Sequence, residues 1–146
     1  MPVTMAPERN NEAPEAKAWR WSAVEGSAPL SRHVLKKWLA SVEATQHEET
    51  ASLLFSELFS NAMRYPAPDN LVPTRWFRLG GFIRIEVDDA SVYEPVVSDP
   101  GPEAESGRGL ILVHLLADKW GCRYRCFNDG HGNYLNGKTV WFELHD

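Results

Sequence analysis

Glu57 and Asn61, four residues apart in the run Glu57-Leu58-Phe59-Ser60-Asn61-Ala62, fall on one face of a helix. An Asn carbonyl is a hard oxygen ligand of the kind Mg²⁺ takes when it bridges phosphates. A Glu one turn earlier can polarise an attacking water or hydroxyl. The same spacing also suits two solvated helix residues. Arg64, one turn beyond Asn61, can reach a phosphate or serve as a surface charge. Gly107-Arg108-Gly109-Leu110 stands just before an apolar helical pattern. Glycines let the backbone approach phosphate oxygens closely, a helix N-terminus adds partial positive charge, and Arg108 offers a further phosphate contact. An ordinary loop-to-helix junction also carries such residues. Asp88-Asp89-Ala90-Ser91 closes a strand pattern. A carboxylate there either accepts a hydrogen bond from an exocyclic amine, such as N6 of adenine, or simply starts a turn. Thr139, in the last strand pattern, is placed to line the same pocket or to serve the strand alone. Together an acid, an amide, a phosphate cradle and a base acceptor point to a nucleotide site.

Several elements must position these groups. Trp19 and Trp21 alternate with polar residues up to Val24, as in a short strand, before Gly26, Ser27 and Pro29 break the pattern. Val34, Leu35, Trp38, Leu39 and Val42 predict an amphipathic helix over about 30–43. Ala51, Leu54, Phe55, Leu58 and Ala62 predict a second over about 47–64, with Glu48 and Glu49 suiting its dipole and Pro66 and Pro68 ending it. Residues 71–79 and 82–88 form a predicted hairpin around Gly80-Gly81. Residues 91–106 carry Pro95, Pro100, Gly101 and Pro102 and read as a loop or lid. A helix over 109–117 follows, then strands over 120–127 and 138–144 joined by a turn at Asp129–Asn133. Clustered helices and paired strands predict an α+β two-layer sandwich, helices on one face of a mixed, mostly antiparallel sheet. They do not alternate as a dinucleotide-binding fold requires.

Bulk properties set the outer bounds. The 146 residues fit one domain, 17–146, behind a proline-bearing leader over 1–16 that is expected to be disordered. A net charge of −5 argues against broad, direct nucleic-acid binding, which needs a basic surface. There is no apolar run of the roughly 18 residues that span a bilayer. Cys122 and Cys126, on one predicted strand, would lie ~13 Å apart at ~3.3 Å per residue, too far for a disulfide. A reduced, cytoplasmic setting is expected. The six tryptophans are spread along the chain and suit a core or hairpin pairs better than a base-stacking platform.

In order, these segments resemble the ATPase superfamily of DNA gyrase B, the ninety-kilodalton heat-shock chaperone and the histidine kinases. The likeness is strongest to its branch of anti-sigma-factor serine kinases. It spans about residues 17–144. The family's helix motif Glu-x-x-x-Asn-Ala is matched by Glu57, Asn61 and Ala62. Its adenine-recognising aspartate is matched by Asp89, with Asp88 one step off register. Its second glycine motif is matched by Gly107, Gly109 and Leu110, and its closing strand by Gly137-Lys138-Thr139-Val140-Trp141-Phe142. The resemblance implies a Bergerat-type ATP-binding fold holding ATP and Mg²⁺. Glu57 would be the general base, Asn61 the Mg²⁺ ligand and Asp89 the adenine acceptor, with Thr139 near the base. It also implies a sigma factor or an anti-anti-sigma protein as partner, the latter phosphorylated on serine, and a homodimer as one form of assembly. Where the family has Asp-x-Gly-x-Gly, this chain reads Asp89-Ala90-Ser91-Val92-Tyr93. The missing glycines favour an alternative: a non-catalytic module that grips a sigma factor or antagonist.

Overall fold

Period-two patterns across five segments build one sheet. The computed structural model describes residues 15–91 and 108–146. Its elements are β1 (Ala16–Ser22), α1 (Ser27–Ser41), a 3₁₀ turn (Thr45–His47), α2 (Glu48–Arg64), β2 (Leu71–Leu79), β3 (Phe82–Asp89), α3 (Arg108–Leu116), β4 (Lys119–Asn128) and β5 (Tyr134–His145). The strands stand in the order β1-β2-β3-β5-β4. Every pairing among them is antiparallel, so the expected mixed sheet gives way to a purely antiparallel one. Neighbours β1 and β2 are joined through α1 and α2, and β2–β3 and β4–β5 are hairpins, while the segment that contains α3 leads from β3 past β5 to β4, which runs parallel to β3. The α+β class holds, with the helices packed on the sheet. Residues 1–14 of the expected leader over 1–16, residues 92–106 of the lid over 91–106, and Gly107 lie outside the described residues, and β1 already begins at Ala16, the last residue of that leader.

Boundaries moved for local reasons. α1 starts at Ser27, earlier than the pattern predicts, because a proline within the first turn loses no helical hydrogen bond and the Ser27 hydroxyl donates to the Ser22 carbonyl. β5 starts at Tyr134 rather than 138. It pairs with β4 as far as Asn128 opposite Tyr134, and polar Asn136 and Gly137 hide that length in the sequence. Both cysteines lie on β4 as free thiols.

The core lies between the sheet and the helices. Leu54, Phe55, Leu58, Phe59 and Ala62 of α2 meet Val72 and Trp76 of β2, Ile83, Ile85 and Val87 of β3, and Val140, Phe142 and Leu144 of β5. Four tryptophans join it. Trp19, Trp21, Trp38 and Trp76 stack and tilt against one another and against the two phenylalanines of α2, with ring centroids 5.4–6.4 Å apart. Each such ring removes a large apolar area from water and gains from edge and offset contacts. Trp21 Nε1 donates to Thr74 Oγ1 at 2.9 Å.

The opposite face of the sheet carries charge. Glu86 accepts from Arg75 Nε at 2.8 Å, from Arg84 Nε at 2.9 Å and from both terminal nitrogens of Arg123 at 3.1 and 3.2 Å. Arg84 also donates to Glu143 at 3.0 Å and stacks on the Trp141 ring, 3.8 Å from its centroid. Gly121 leaves room for that indole, since a Cβ there would sit 2.7 Å from the ring. These bridges tie β2, β3, β5 and β4 together from outside. Burial pushes the Glu86 carboxyl up, but the hydrogen bonds from Arg123, Arg75 and Arg84 outweigh it and hold its pKa at about 2. Folding therefore favours the carboxylate form, and the resulting stabilisation is complete above the ordinary value of 4.5. It drains away as pH falls from there toward 2. Urea unfolding over that window is expected to show the wild type losing up to about 3 kcal/mol more than Glu86→Gln. Parallel pH profiles for the two proteins would show that Glu86 is not held this way.

Candidate functional site

Asp88 and Asp89 are adjacent on β3, and successive strand residues face opposite sides of a sheet. Asp88 faces outward, fully buried among arginines. Arg75 grips it with both terminal nitrogens at 2.5 and 3.0 Å, Arg125 donates to it, and the Thr139 hydroxyl donates to its Oδ1 at 2.6 Å. Asp88 is thus consumed by the network that closes the outer face. Carboxylate and hydroxyl stand directly opposite in the register of β3 and β5.

Asp89 turns to the helix side. Its Oδ1 accepts from Lys138 Nζ at 2.8 Å and from the Ser91 backbone N–H at 2.8 Å. The ion pair is buried, with side-chain exposures of 7% for Asp89 and 9% for Lys138, so neither charge is solvated and each depends on the other. Gly137 makes the corner close: a Cβ there would lie 2.4 Å from the Asp89 carbonyl oxygen.

Alternation therefore corrects one expectation. Thr139 does not share a pocket with Asp89. It lies on the opposite face of the sheet, and the β5 residue beside Asp89 is Lys138. Sequence reasoning passed over Lys138, although a signal was present. Val140, Phe142 and Leu144 are the apolar, core-facing set of β5, and stepping back by two from Val140 reaches Lys138, not Thr139.

Helix and strand ends converge at this corner. The N–H of Ala90, just past β3, donates to the Tyr65 carbonyl, just past α2, at 2.7 Å. The last turn of α2, with Asn61 and Arg64, is thereby fixed to the strand end with Asp89. Glu57 and Asn61 are half-buried, on the flank of the α2 stripe formed by Leu54, Leu58 and Ala62. Among the described residues neither side chain has a hydrogen-bond partner. Arg64 is exposed. Arg108 and Gly109 open α3, which packs on α2 through a buried Leu110 and Val113 in the same core. Around the strand ends an open cleft of about 590 Å³ is lined by Ser91 after β3, by Tyr124, Arg125 and Cys126 of β4, and by Asn136 and Gly137 of β5. Among the described residues no group of three or more His, Cys, Asp or Glu could hold a metal ion, and no helix is long and apolar enough to cross a membrane.

Compared with known proteins, the sequence matches no protein-family model and no curated protein.

Thr139 in this arrangement is a structural partner of Asp88. Thr139→Val is expected to lower the unfolding free energy by ~1.5–3 kcal/mol, the range for a hydrogen bond to a charged group. In a double-mutant cycle with Asp88→Ala, most of that loss should disappear. Additive losses would show that the two side chains are not coupled.

Proposed function

We propose that this protein is an ATP-binding regulator of the anti-sigma serine-kinase type, acting in the cytoplasm on a Bergerat-type fold. Its reaction would transfer the γ-phosphoryl of ATP to a serine of an anti-anti-sigma partner. The observation that carries this reading is the joining of α2 to β3 through Ala90 and Tyr65. That bond keeps a carboxamide one turn from the helix end in the neighbourhood of a strand-end carboxylate, while α3 packs on the same helix.

The residues fit a nucleotide with Mg²⁺. Asn61 offers a half-buried carbonyl oxygen with no partner among the described residues. A cation bridging phosphates draws most of its ligands from phosphate and water, so a single protein amide suffices. When bound, Mg²⁺ would neutralise phosphate charge during transfer. Glu57, one turn before Asn61, would accept the proton of the partner serine's hydroxyl. The backbone at the start of α3, at Arg108 and Gly109, with Gly107 next to it in sequence, would hold phosphate oxygens, and Arg64 would supply a further cation from the exposed side. Asp89 has Oδ1 engaged by Lys138 and Ser91, leaving Oδ2 to accept from the base. A phosphoserine on the partner would carry a charge of about −1.5 to −2 and would break a contact built for a neutral hydroxyl. The protein would then be free to hold a sigma factor.

One observation favours the second reading, a non-catalytic module. The carboxylate expected to meet adenine is already ion-paired, so nucleotide must compete with or accommodate Lys138.

A ligand that binds the native state raises apparent stability by mass action. Addition of ATP with Mg²⁺ is expected to raise the melting temperature of the wild type. Asn61→Ala should lose the Mg²⁺-dependent part of that rise while its unliganded melting temperature stays near the wild type's. Unchanged nucleotide affinity in this variant would remove Asn61 from the site. With labelled ATP and an anti-anti-sigma partner, transfer of label that Glu57→Ala abolishes separates the kinase from the module.

A further inference from the structure

Three strands place one row of side chains across the helix-side face, one step beyond the last core residues. Asp89 of β3 stands directly opposite Lys138 of β5, and Lys138 directly opposite Tyr124 of β4. Val87, Val140 and Cys122 form the preceding row on this face. The new row therefore reads carboxylate, ammonium, aromatic ring. Lys138 has a side-chain exposure of only 9%, and its Nζ lies 2.8 Å from Asp89 Oδ1. An ammonium carries three N–H donors, and this contact uses one. The Tyr124 residue is 67% exposed and lines the 590 Å³ cleft together with Ser91, Cys126, Asn136 and Gly137.

We infer that Lys138 and Tyr124 complete the base-binding part of the nucleotide site and that Lys138 makes it accept guanine as well as adenine. The inference rests on the nucleotide-binding reading above and extends it. A carboxylate alone can only accept hydrogen bonds. It suits the N6 amine of adenine and repels the O6 of guanine, and a buried mismatch of this kind discriminates strongly. An ammonium beside the carboxylate removes that asymmetry. Adenine offers a donor at N6 and an acceptor at N1, side by side. Guanine offers an acceptor at O6 and a donor at N1, also side by side. Against either edge, Asp89 Oδ2 takes the donor and Lys138 Nζ serves the acceptor. The Tyr124 ring adds stacking, which every base can provide.

The test uses the full chain, with dissociation constants for ATP and GTP measured by titration calorimetry in the presence of Mg²⁺. For the wild type the two constants are expected to agree within tenfold. Lys138→Met should weaken GTP at least tenfold more than ATP, and Tyr124→Ala should weaken both by similar factors. A wild-type preference for ATP beyond tenfold, or an unchanged ratio in a folded Lys138→Met, would overturn the inference while leaving ATP binding intact. If Lys138→Met fails to fold, as its circular dichroism would reveal, the wild-type ratio decides alone. Binding of neither nucleotide would remove the nucleotide reading and this inference together.

Discussion

Strict alternation along β3 is the constraint from which the rest of the molecule is built. Ile83, Ile85 and Val87 must face the helices to close the core, so Arg84, Glu86 and Asp88 must face away. The two carboxylates among them cannot be solvated freely, since Glu86 is 5% exposed and Asp88 fully buried. They are satisfied only because β2 and β4 bring Arg75, Arg123 and Arg125 to the same face. A slip of one residue would turn aliphatic residues to the outside and carboxylates into the tryptophan cluster. Register, core and charge network therefore specify one another.

The two faces treat carboxylates differently. On the outer face Glu86 and Asp88 each have several arginine donors, and planar guanidinium groups stack on Trp141 and Phe127 as well, at 3.8 and 4.4 Å from the ring centroids. Charge is spread over many bonds, and no single donor dominates. On the inner face one carboxylate meets one ammonium. A lone buried pair contributes little net stability, because desolvation offsets most of its attraction, yet removing either partner leaves a charge stranded. The outer network thus reads as architecture. The inner pair stands alone at the end of the core, where β3 is joined to the last turn of α2.

Much of this was legible in the chain. Alternating residues from Phe82 to Val87 and the Gly80-Gly81 turn announced the central hairpin, and the leucines and phenylalanines of 47–64 announced α2. Both signals are local, and both survived because packing demands the same face that the pattern offers. What sequence reading misplaced was facing, not element type. Alternation from Val140 already puts Thr139 on the other face from Asp89, but which β5 residue stands beside Asp89 depends on register, which is set by non-local pairing. The arginine network was hidden for the same reason. Arg75, Glu86 and Arg123 lie far apart in sequence, and nothing local marks them as partners. The polar start of β5 hid its length, since Tyr134, Leu135 and Asn136 pair with β4 while remaining exposed.

The glycine-free turn after Asp89 and the Lys138 pair belong to one corner and are physically consistent. Glycines in such a turn supply positive φ. Here the turn forms without it: Asp89 Oδ1 accepts the N–H of Ser91 two residues on, an Asx-turn built from the aspartate itself. The only described non-glycine residues at positive φ are Glu43 and Asn70, so Ala90 carries no such strain. The Ala90 N–H is left to reach the Tyr65 carbonyl and fix α2. The cost of this solution is that Asp89 spends one oxygen on its own backbone. Lys138 then balances a carboxylate that a flexible, solvated glycine loop would have left open to water. A side chain that shapes its own turn and is neutralised by its cross-strand neighbour still has one oxygen facing outward, and the neighbour still has donors. The corner is therefore shaped and charge-balanced without any glycine between Asp89 and Tyr93.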